Sequence, residues 1–131
     1  MSLVAAAQRI ISLAGGFVFL ASTVGAATAA DEFRGKWSSN PPRCEQVNGE
    51  VDVLTITSSE LEFYEIGCKL WRPKRSHGET RFAARCYKGG SPETPGTVVI
   101  RRRSPETIEL ALHGFSWIAE KPEVFHRCAA Q

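Results

Sequence analysis

From residue 31 onward, hydrophobic and polar residues alternate in short segments, without the spacing of an amphipathic helix. A period of two is typical of β-strands with one buried face, and turn residues such as Gly89-Gly90 separate the segments. The segments rich in β-branched and aromatic residues are 51–57, 61–71, 79–87, 96–103, 107–113 and 115–120. With GKWSS (35–39) in front and VFHRC (124–128) behind, the pattern predicts an antiparallel meander of seven or eight strands.

An open meander of this length leaves two exposed edge strands, which favour aggregation. Closing it pairs the first strand with the last, so the sequence predicts an all-β fold, a small antiparallel up-and-down β-barrel. Gly35 then allows close approach, Trp37 fills one end, and Arg127 lies over the indole in a cation–π contact. A chain of this size favours a filled interior. The residues expected to face inward are Leu54, Ile56, Leu61, Phe63, Phe82, Val99, Ile108, Leu110, Leu112 and Trp117.

Residues 1–30 have the layout of a secretory signal peptide. Arg9 is followed by an uncharged apolar stretch and then by small residues, with a cleavage site at Ala27-Thr28-Ala29 or one residue later. The alternative is an uncleaved membrane anchor, because residues 10–30 carry no charge and a spanning helix needs about 20 residues. Ala, Gly, Ser and Thr in its second half partition weakly into hydrocarbon and favour cleavage. The mature chain is then a single domain, 31–131, periplasmic or secreted and not inserted in a membrane.

All four cysteines, Cys44, Cys68, Cys86 and Cys128, lie in the predicted mature chain. Disulfides are the usual reinforcement of a small exported domain with a modest core. The spacing contains no C-x-x-C pair, so the sequence predicts two disulfides and no metal site. Three pairings are open. The strand positions mildly favour Cys44 with Cys68 and Cys86 with Cys128, and the alternative of Cys44 with Cys128 and Cys68 with Cys86 would tie the chain ends together.

Gly35-Lys36-Trp37, the meander behind it and the arginine beside Cys128 resemble the lipocalin-like, or calycin, barrels. Among these the chain is similar to small periplasmic barrels of bacteria such as the metalloprotease inhibitors, which also open with Gly-x-Trp and carry disulfides. In that family the segment before the Gly-x-Trp enters the protease cleft. The resemblance assigns this role to Asp31, Glu32, Phe33 and Arg34. The Thr-Asp-Tyr-like motif of the longer lipocalins has no counterpart here, which argues against a large ligand-binding calyx.

Charge is distributed unevenly along the chain, although its net charge is only +2. Residues 69–103 hold 10 Lys and Arg against 2 Asp and Glu. In a meander, the turn after 61–71 and the end of 96–103 meet at one end of the sheet, so a basic patch forms there, with His77 beside it. We call this patch the basic rim: Arg72, Lys74, Arg75, Arg101, Arg102 and Arg103. It would attract an acidic protein or an anionic surface polymer such as lipopolysaccharide. The alternative is a set of solvated charges that protect strand edges.

Catalysis and nucleic-acid binding have little support in the sequence. His77, His113 and His126 accompany no G-x-S-x-G or H-E-x-x-H motif, so neither an enzyme activity nor a cofactor is predicted. Trp71 and Tyr87 are the only aromatic residues expected to be exposed in the basic segment, and stacking platforms for nucleic acid usually need more. No nucleic-acid partner is therefore expected.

A second candidate binding site is the stretch Asn40, Pro41, Pro42 and Arg43, which we call the proline turn. Two prolines and a disulfide at Cys44 would stiffen it, and a stiff exposed loop loses less entropy on entering a cleft. An ordinary barrel-end loop is the alternative. The sequence thus predicts a non-catalytic binding protein that recognises a protein or an anionic polymer through the basic rim or the proline turn. The alternatives are a protease or lysozyme inhibitor and a carrier with a small ligand in the barrel mouth.

Overall fold

The structure, a computed structural model, describes residues 14–18, 29–44 and 52–129, apart from the side chain of Arg43. Most of the predicted signal peptide, 1–30, lies outside the described residues. Within the described part, no helix is both long enough and apolar enough to span a bilayer.

Eight strands form a single closed sheet. They are β1 (Gly35–Ser38), β2 (Val53–Ile56), β3 (Glu60–Phe63), β4 (Ile66–Ser76), β5 (Glu79–Lys88), β6 (Thr94–Ser104), β7 (Thr107–His113) and β8 (Glu123–Arg127). Each strand pairs antiparallel with the next, and β1 also pairs with β8. Two 3₁₀ helices, η1 (Ala29–Phe33) and η2 (Pro41–Arg43), flank β1. The predicted all-β up-and-down barrel is confirmed.

The segment 61–71, predicted as one strand, is divided between two. β3 ends at Phe63 and β4 begins at Ile66, and Tyr64 and Glu65 form a two-residue turn between them. Tyr64 has a φ of 53°, a value that hairpin turns of this length usually assign to glycine or asparagine. Because no glycine, proline or asparagine stands here, composition gives no sign of the turn.

β4 also continues to Ser76, past the proline where a turn was predicted. The register between β4 and β5 shifts between Trp71 and Lys74, and such a bulge is one of the few places where a strand accepts proline. The turn itself is formed by His77 and Gly78, with φ values of 51° and 76°. Two positive φ values in a two-residue hairpin indicate a type I′ turn.

The segment 115–120, predicted as a strand, is part of the loop between β7 and β8. Phe115 is buried and stacks on Trp117 with ring centroids 4.9 Å apart, so the loop covers one end of the barrel. Gly96 makes room for it, since a Cβ at that position would lie 2.3 Å from the Phe115 ring. The alternation that predicted a strand comes from apolar residues that close the barrel end.

Apolar side chains fill the barrel interior. Seven of the ten residues predicted to face inward belong to the buried core, and Phe63 and Trp117 pack against it. Val99 is a correction, because it is buried outside this core cluster, opposite Arg81 on β5. The inward positions of β6 are taken by Val98 and Ile100, one residue to either side.

η1 covers the other end of the barrel. Phe33 is only 2% exposed, and Trp37 is fully buried and donates its indole N–H to the Phe33 carbonyl oxygen at 2.9 Å. The guanidinium of Arg127 lies 4.1 Å from the Trp37 ring centroid and donates to the Arg34 carbonyl oxygen at 3.2 Å. Gly35, with a φ of 139°, leaves room for Arg127, since a Cβ would lie 3.1 Å from its Nη1. The predicted Trp37–Arg127 contact is confirmed.

The two predicted disulfides are confirmed, but the mildly favoured pairing is wrong. Cys44 is bonded to Cys128, and Cys68 to Cys86. Cys68 and Cys86 stand directly opposite each other on the neighbouring strands β4 and β5. Cys128 follows β8, which pairs with β1, and can therefore reach Cys44 just beyond β1. Paired disulfides of this kind are typical of chains that fold in an oxidising compartment.

Candidate functional site

The structure divides the basic rim into three parts. The predicted approach of the β4–β5 turn to β6 is present, since the Arg102 amide donates to the Gly78 carbonyl oxygen at 3.3 Å. Within the described part of the chain, only Arg75 and Arg102 of these six residues converge on a common partner. The other four lie along the outer faces of β4 and β6.

That common partner is Glu32 of η1. Arg75 forms an ion pair with its carboxylate. The Nε of Arg102 lies 3.8 Å from a Glu32 carboxylate oxygen, and its Nη2 donates to the Glu32 carbonyl oxygen at 3.0 Å. Arg102 also lies over the Phe33 ring, 5.3 Å from the centroid. These two cations therefore hold η1 against the barrel, beside a surface groove of about 350 Å³ that includes His77.

Arg101 and Arg103 also have carboxylate partners. The Arg101 Nη2 lies 3.7 Å from a Glu79 carboxylate oxygen, and the Arg103 Nη2 lies 2.5 Å from one of Glu109. The strand register explains the Arg101–Glu79 ion pair, because Arg101 stands between Glu79 on β5 and Glu109 on β7. The positive potential at these positions is therefore weaker than their number suggests.

Arg72 and Lys74 keep their charges available. Both are exposed, and neither forms an ion pair with any other residue that the structure describes. Arg72 lies in the β-bulge with a φ of 50°, a left-handed conformation that costs a non-glycine residue about 1 kcal/mol. Bulges re-aim side chains, and residues held in such conformations are often found at functional sites. This part of the basic rim is the stronger candidate.

An exposed aromatic residue adjoins this part of the basic rim. Trp71 is 38% exposed and stands opposite Ala83 on β5. A pair of cations lies on each side of Trp71 along the sheet: Lys69 and Arg85 in one direction, and Lys74 and Arg81 beyond the bulge in the other. Tyr87, 39% exposed, stands beyond the first pair. We call this set the outer track: Tyr87, Arg85, Lys69, Trp71, Arg81 and Lys74.

Sequence reasoning missed Lys69, Arg81 and Arg85 as members of this site. The alternation along β4 and β5 indicates that these cations share a face with Trp71 and Tyr87, because residues two apart on a strand lie on the same face. The deciding information is the pairing of Lys69 with Arg85 and of Lys74 with Arg81, which depends on the hairpin turn and on the bulge.

The histidines do not form a catalytic arrangement with one another. His77 lies at the tip of the β4–β5 turn, and His126 is exposed on β8. His113 Nδ1 lies 3.4 Å from a Glu120 carboxylate oxygen. A hydrogen bond from the Gly114 amide, together with His113, lowers the pKa of Glu120 below its usual 4.5. Among the described residues, no group of three or more His, Cys, Asp or Glu residues is arranged to bind a metal ion.

The proline turn is a compact structure anchored at both ends. Pro41 to Arg43 form η2, and Cys44, which follows it, is bonded to Cys128. On the other side, the buried Ser38 hydroxyl donates to the Asn40 carbonyl oxygen at 2.7 Å and accepts from the Asn40 amide at 3.0 Å. Pro41 and Pro42 are exposed between these anchors. The turn is thus tied to the barrel on both sides.

The segment before the Gly-x-Trp is docked on the barrel. Phe33 is buried, and Glu32 is bound by two arginines. Arg34 forms an ion pair with Asp31 at 2.7 Å, and its carbonyl oxygen accepts from Arg127. A segment held in this way differs from the free arm that the resemblance implies for Asp31 to Arg34.

No family model matches the chain, and neither curated proteins nor solved structures give a significant match. The closed eight-stranded barrel is compatible with a lipocalin-like fold.

Proposed function

We propose that this is a non-catalytic periplasmic or secreted binding protein, built as a lipocalin-like barrel, that recognises an anionic partner. The partner is an acidic protein or an anionic surface polymer, and the contact is made by the part of the basic rim formed by Arg72 and Lys74. The observation that carries the proposal is that the residues of the basic rim differ in whether they form ion pairs with carboxylates of this chain. Arg75, Arg101, Arg102 and Arg103 all bind carboxylates of the chain itself, whereas Arg72 and Lys74 form no ion pair with any of the residues that the structure describes.

The barrel supports this role as a rigid scaffold. Its interior is filled by apolar side chains, and η1 and the β7–β8 loop cover its two ends. This arrangement favours recognition on the outer surface over a ligand in the barrel mouth. Because the sheet already fixes the backbone that carries Arg72 and Lys74, binding costs little backbone conformational entropy.

The test uses the binding of defined anionic probes, namely poly-L-glutamate, a polyuronate and lipopolysaccharide, measured by calorimetry at low and high salt. We expect binding to at least one probe, and we expect added salt to weaken it, because salt screens exposed charges. The double variant Arg72→Gln, Lys74→Gln should lose most of this binding. The matched control Arg101→Gln, Arg103→Gln removes the same charge from β6 and should keep it. A wild-type protein that binds none of the probes, or two double variants that behave alike, would refute the proposal.

Inhibition of a hydrolase is a second candidate, which rests on the proline turn. Its exposed prolines stand between a disulfide and the buried Ser38 hydroxyl, which anchors the other side. A segment fixed in this way would lose little entropy on entering an enzyme cleft. The docked N-terminal segment does not favour this role, so the proline turn would carry it alone.

The inhibitor hypothesis is tested by titrating a panel of proteases and a lysozyme with the protein. The variant Pro41→Ala, Pro42→Ala should weaken any inhibition that is seen, while Arg72→Gln, Lys74→Gln should leave it unchanged. Full enzyme activity across the panel at saturating protein would rule the hypothesis out.

A further inference from the structure

We propose that the outer track binds an acidic polysaccharide. Trp71 and Tyr87 would stack against sugar rings, and the cations beside them would bind the carboxylate, sulfate or phosphate groups of the polymer. The inference rests on the proposed function: it names the ligand class and extends the binding surface from Arg72 and Lys74 along β4 and β5.

The first argument is the repeat along the strands. Trp71 stands opposite Ala83, and Tyr87 opposite Gly67, so the two aromatic rows are four residues apart. At the rise of a β-strand this separation is about 13 Å. The row formed by Lys69 and Arg85 lies between them. An aromatic, cationic, aromatic sequence of rows matches a chain of sugars with charged substituents better than a single small molecule.

The second argument is the way in which Tyr87 is held. Its ring lies against the backbone of Gly67, where a Cβ would come within 2.6 Å of the ring atoms. The glycine therefore supports one side of the ring, while the side chain remains 39% exposed. Sugar rings present C–H groups that pack on exposed aromatic faces, and tyrosine adds a hydroxyl for hydrogen bonding.

The third argument is that two cations of the outer track already bind a carboxylate. Lys69 Nζ lies 3.5 Å from one carboxylate oxygen of Glu93, and Arg85 Nε lies 4.0 Å from the other. The two cations thus converge on a single carboxylate from the β5–β6 loop, which offsets one of their two charges, and Arg81 is paired with Glu79 at 3.1 Å. Arginine and lysine bind carboxylate, sulfate and phosphate in the same manner. A uronate group could join Glu93 or take its place.

The fourth argument is rigidity. The Cys68–Cys86 disulfide joins β4 and β5 on the buried face of the same hairpin. Its half-cystines lie next in sequence to Lys69 and Arg85, so the disulfide fixes the spacing of the row between the two aromatic residues. A surface fixed before binding loses less entropy when the ligand arrives.

An acidic peptide is a poorer fit to this surface. Peptides commonly bind sheets by adding a strand at a free edge, and this barrel is closed, with β1 paired to β8. The exposed face of β4 and β5 offers stacking surfaces and charges. We therefore assign the track to a glycan.

The experiment compares three soluble probes: polygalacturonate, which has rings and charge; poly-L-glutamate, which has charge without rings; and dextran, which has rings without charge. Binding is followed by calorimetry and by tryptophan fluorescence, for which exposed Trp71 is a natural reporter. We expect polygalacturonate to bind about tenfold more tightly than poly-L-glutamate at equal charge, and dextran to bind much more weakly than either. Trp71→Ala should weaken polygalacturonate binding about five- to tenfold, as loss of a stacking aromatic does, and Trp71→Phe should retain most of it. Arg85→Gln should weaken it as well, and the control Arg103→Gln should not.

The outcomes separate the two proposals. Equal affinity for polygalacturonate and poly-L-glutamate, with no effect of Trp71→Ala, would overturn the glycan assignment and leave an acidic protein as the partner. Tight dextran binding would overturn the role of the cations. If neither polygalacturonate nor poly-L-glutamate binds, this inference is refuted, and the proposed function is refuted as well if lipopolysaccharide also fails to bind. Unfolding curves of all variants establish that a loss of binding is not a loss of fold.

Discussion

At the scale of single residues, Arg72 combines an unfavourable backbone with a candidate function. Its φ of 50° is a conformation that glycine adopts freely. We predict that Arg72→Gly raises the free energy of unfolding by up to about 1 kcal/mol while weakening the binding of anionic probes. Urea denaturation and calorimetry measure the two effects. The control is Lys74→Gly, whose φ is not positive and which should lower stability by about 0.5 to 1 kcal/mol. Equal destabilisation by both substitutions would show that the bulge stores no strain at Arg72.

Glu123 makes stability depend on pH. Burial, and secondly the charge of Asp52, raise the pKa of Glu123 above 4.5, so the folded state holds this proton more tightly than the unfolded state. The ionised carboxylate therefore begins to destabilise the fold as pH rises through 4.5, and the penalty is complete above the folded-state pKa. Glu123→Gln should leave stability unchanged at pH values well below 4.5 and raise it at neutral pH. Because Glu123 is an exposed residue of β8, solvent limits the gain to below about 1 kcal/mol.

The measurement for Glu123 is the free energy of unfolding in urea as a function of pH. Glu62→Gln, at an exposed position of β3, controls for the loss of one negative charge. A gain for Glu123→Gln that is equal at acid and neutral pH would contradict the assignment.

At the scale of elements, local pattern predicted the strands well where turns carry glycine. It failed at Pro73, which β4 accepts at a bulge, and where a turn or an end cap is made of residues other than glycine and proline. Tyr64 and Glu65 form a turn without such a residue, and 115–120 alternates because Phe115 and Trp117 close the barrel end.

The candidate site was predicted only in part. The proximity of β4 and β6 follows from the meander, but Glu32 comes from η1, far away in sequence, and pairs with both Arg75 and Arg102 in a way that no local pattern contains.

η1 gives a prediction at the same scale. Its attachment combines the buried Phe33 ring with the partly exposed Glu32 ion pairs, and the apolar contact should dominate. We predict that Phe33→Ala lowers the free energy of unfolding by about 3 to 5 kcal/mol and that Glu32→Gln lowers it by about 1 kcal/mol or less. Phe33→Leu should cost less than about 1.5 kcal/mol, which keeps the comparison measurable if the alanine variant does not fold. Chemical denaturation gives all three values, and a larger effect for Glu32→Gln than for Phe33→Ala would reverse the ranking.

At the scale of the whole molecule, the two disulfides stabilise the barrel in different ways. Cys44–Cys128 closes a loop with a sequence separation of 84, and Cys68–Cys86 one of 18. In the chain-entropy model the long loop is worth about 4 to 5 kcal/mol and the short one about 3 kcal/mol. Since small domains have total stabilities of about 5 to 15 kcal/mol, breaking the Cys44–Cys128 disulfide removes a large share of the free energy of unfolding.

Burial should decide which bond is reduced first. Cys68 and Cys86 are 3% and 0% exposed, whereas Cys44 and Cys128 are half-buried. We predict that dithiothreitol acting on the folded protein reduces Cys44–Cys128 first, because exposed disulfides are the more labile ones, and that Cys68–Cys86 stays protected until the barrel unfolds. Timed alkylation followed by peptide mass spectrometry identifies the order. The first product should keep its β-sheet circular dichroism and its binding to the outer track, since the Cys68–Cys86 hairpin is intact, but lose the anchor of the proline turn. Reduction of both bonds at one rate would mean that they open only through global unfolding.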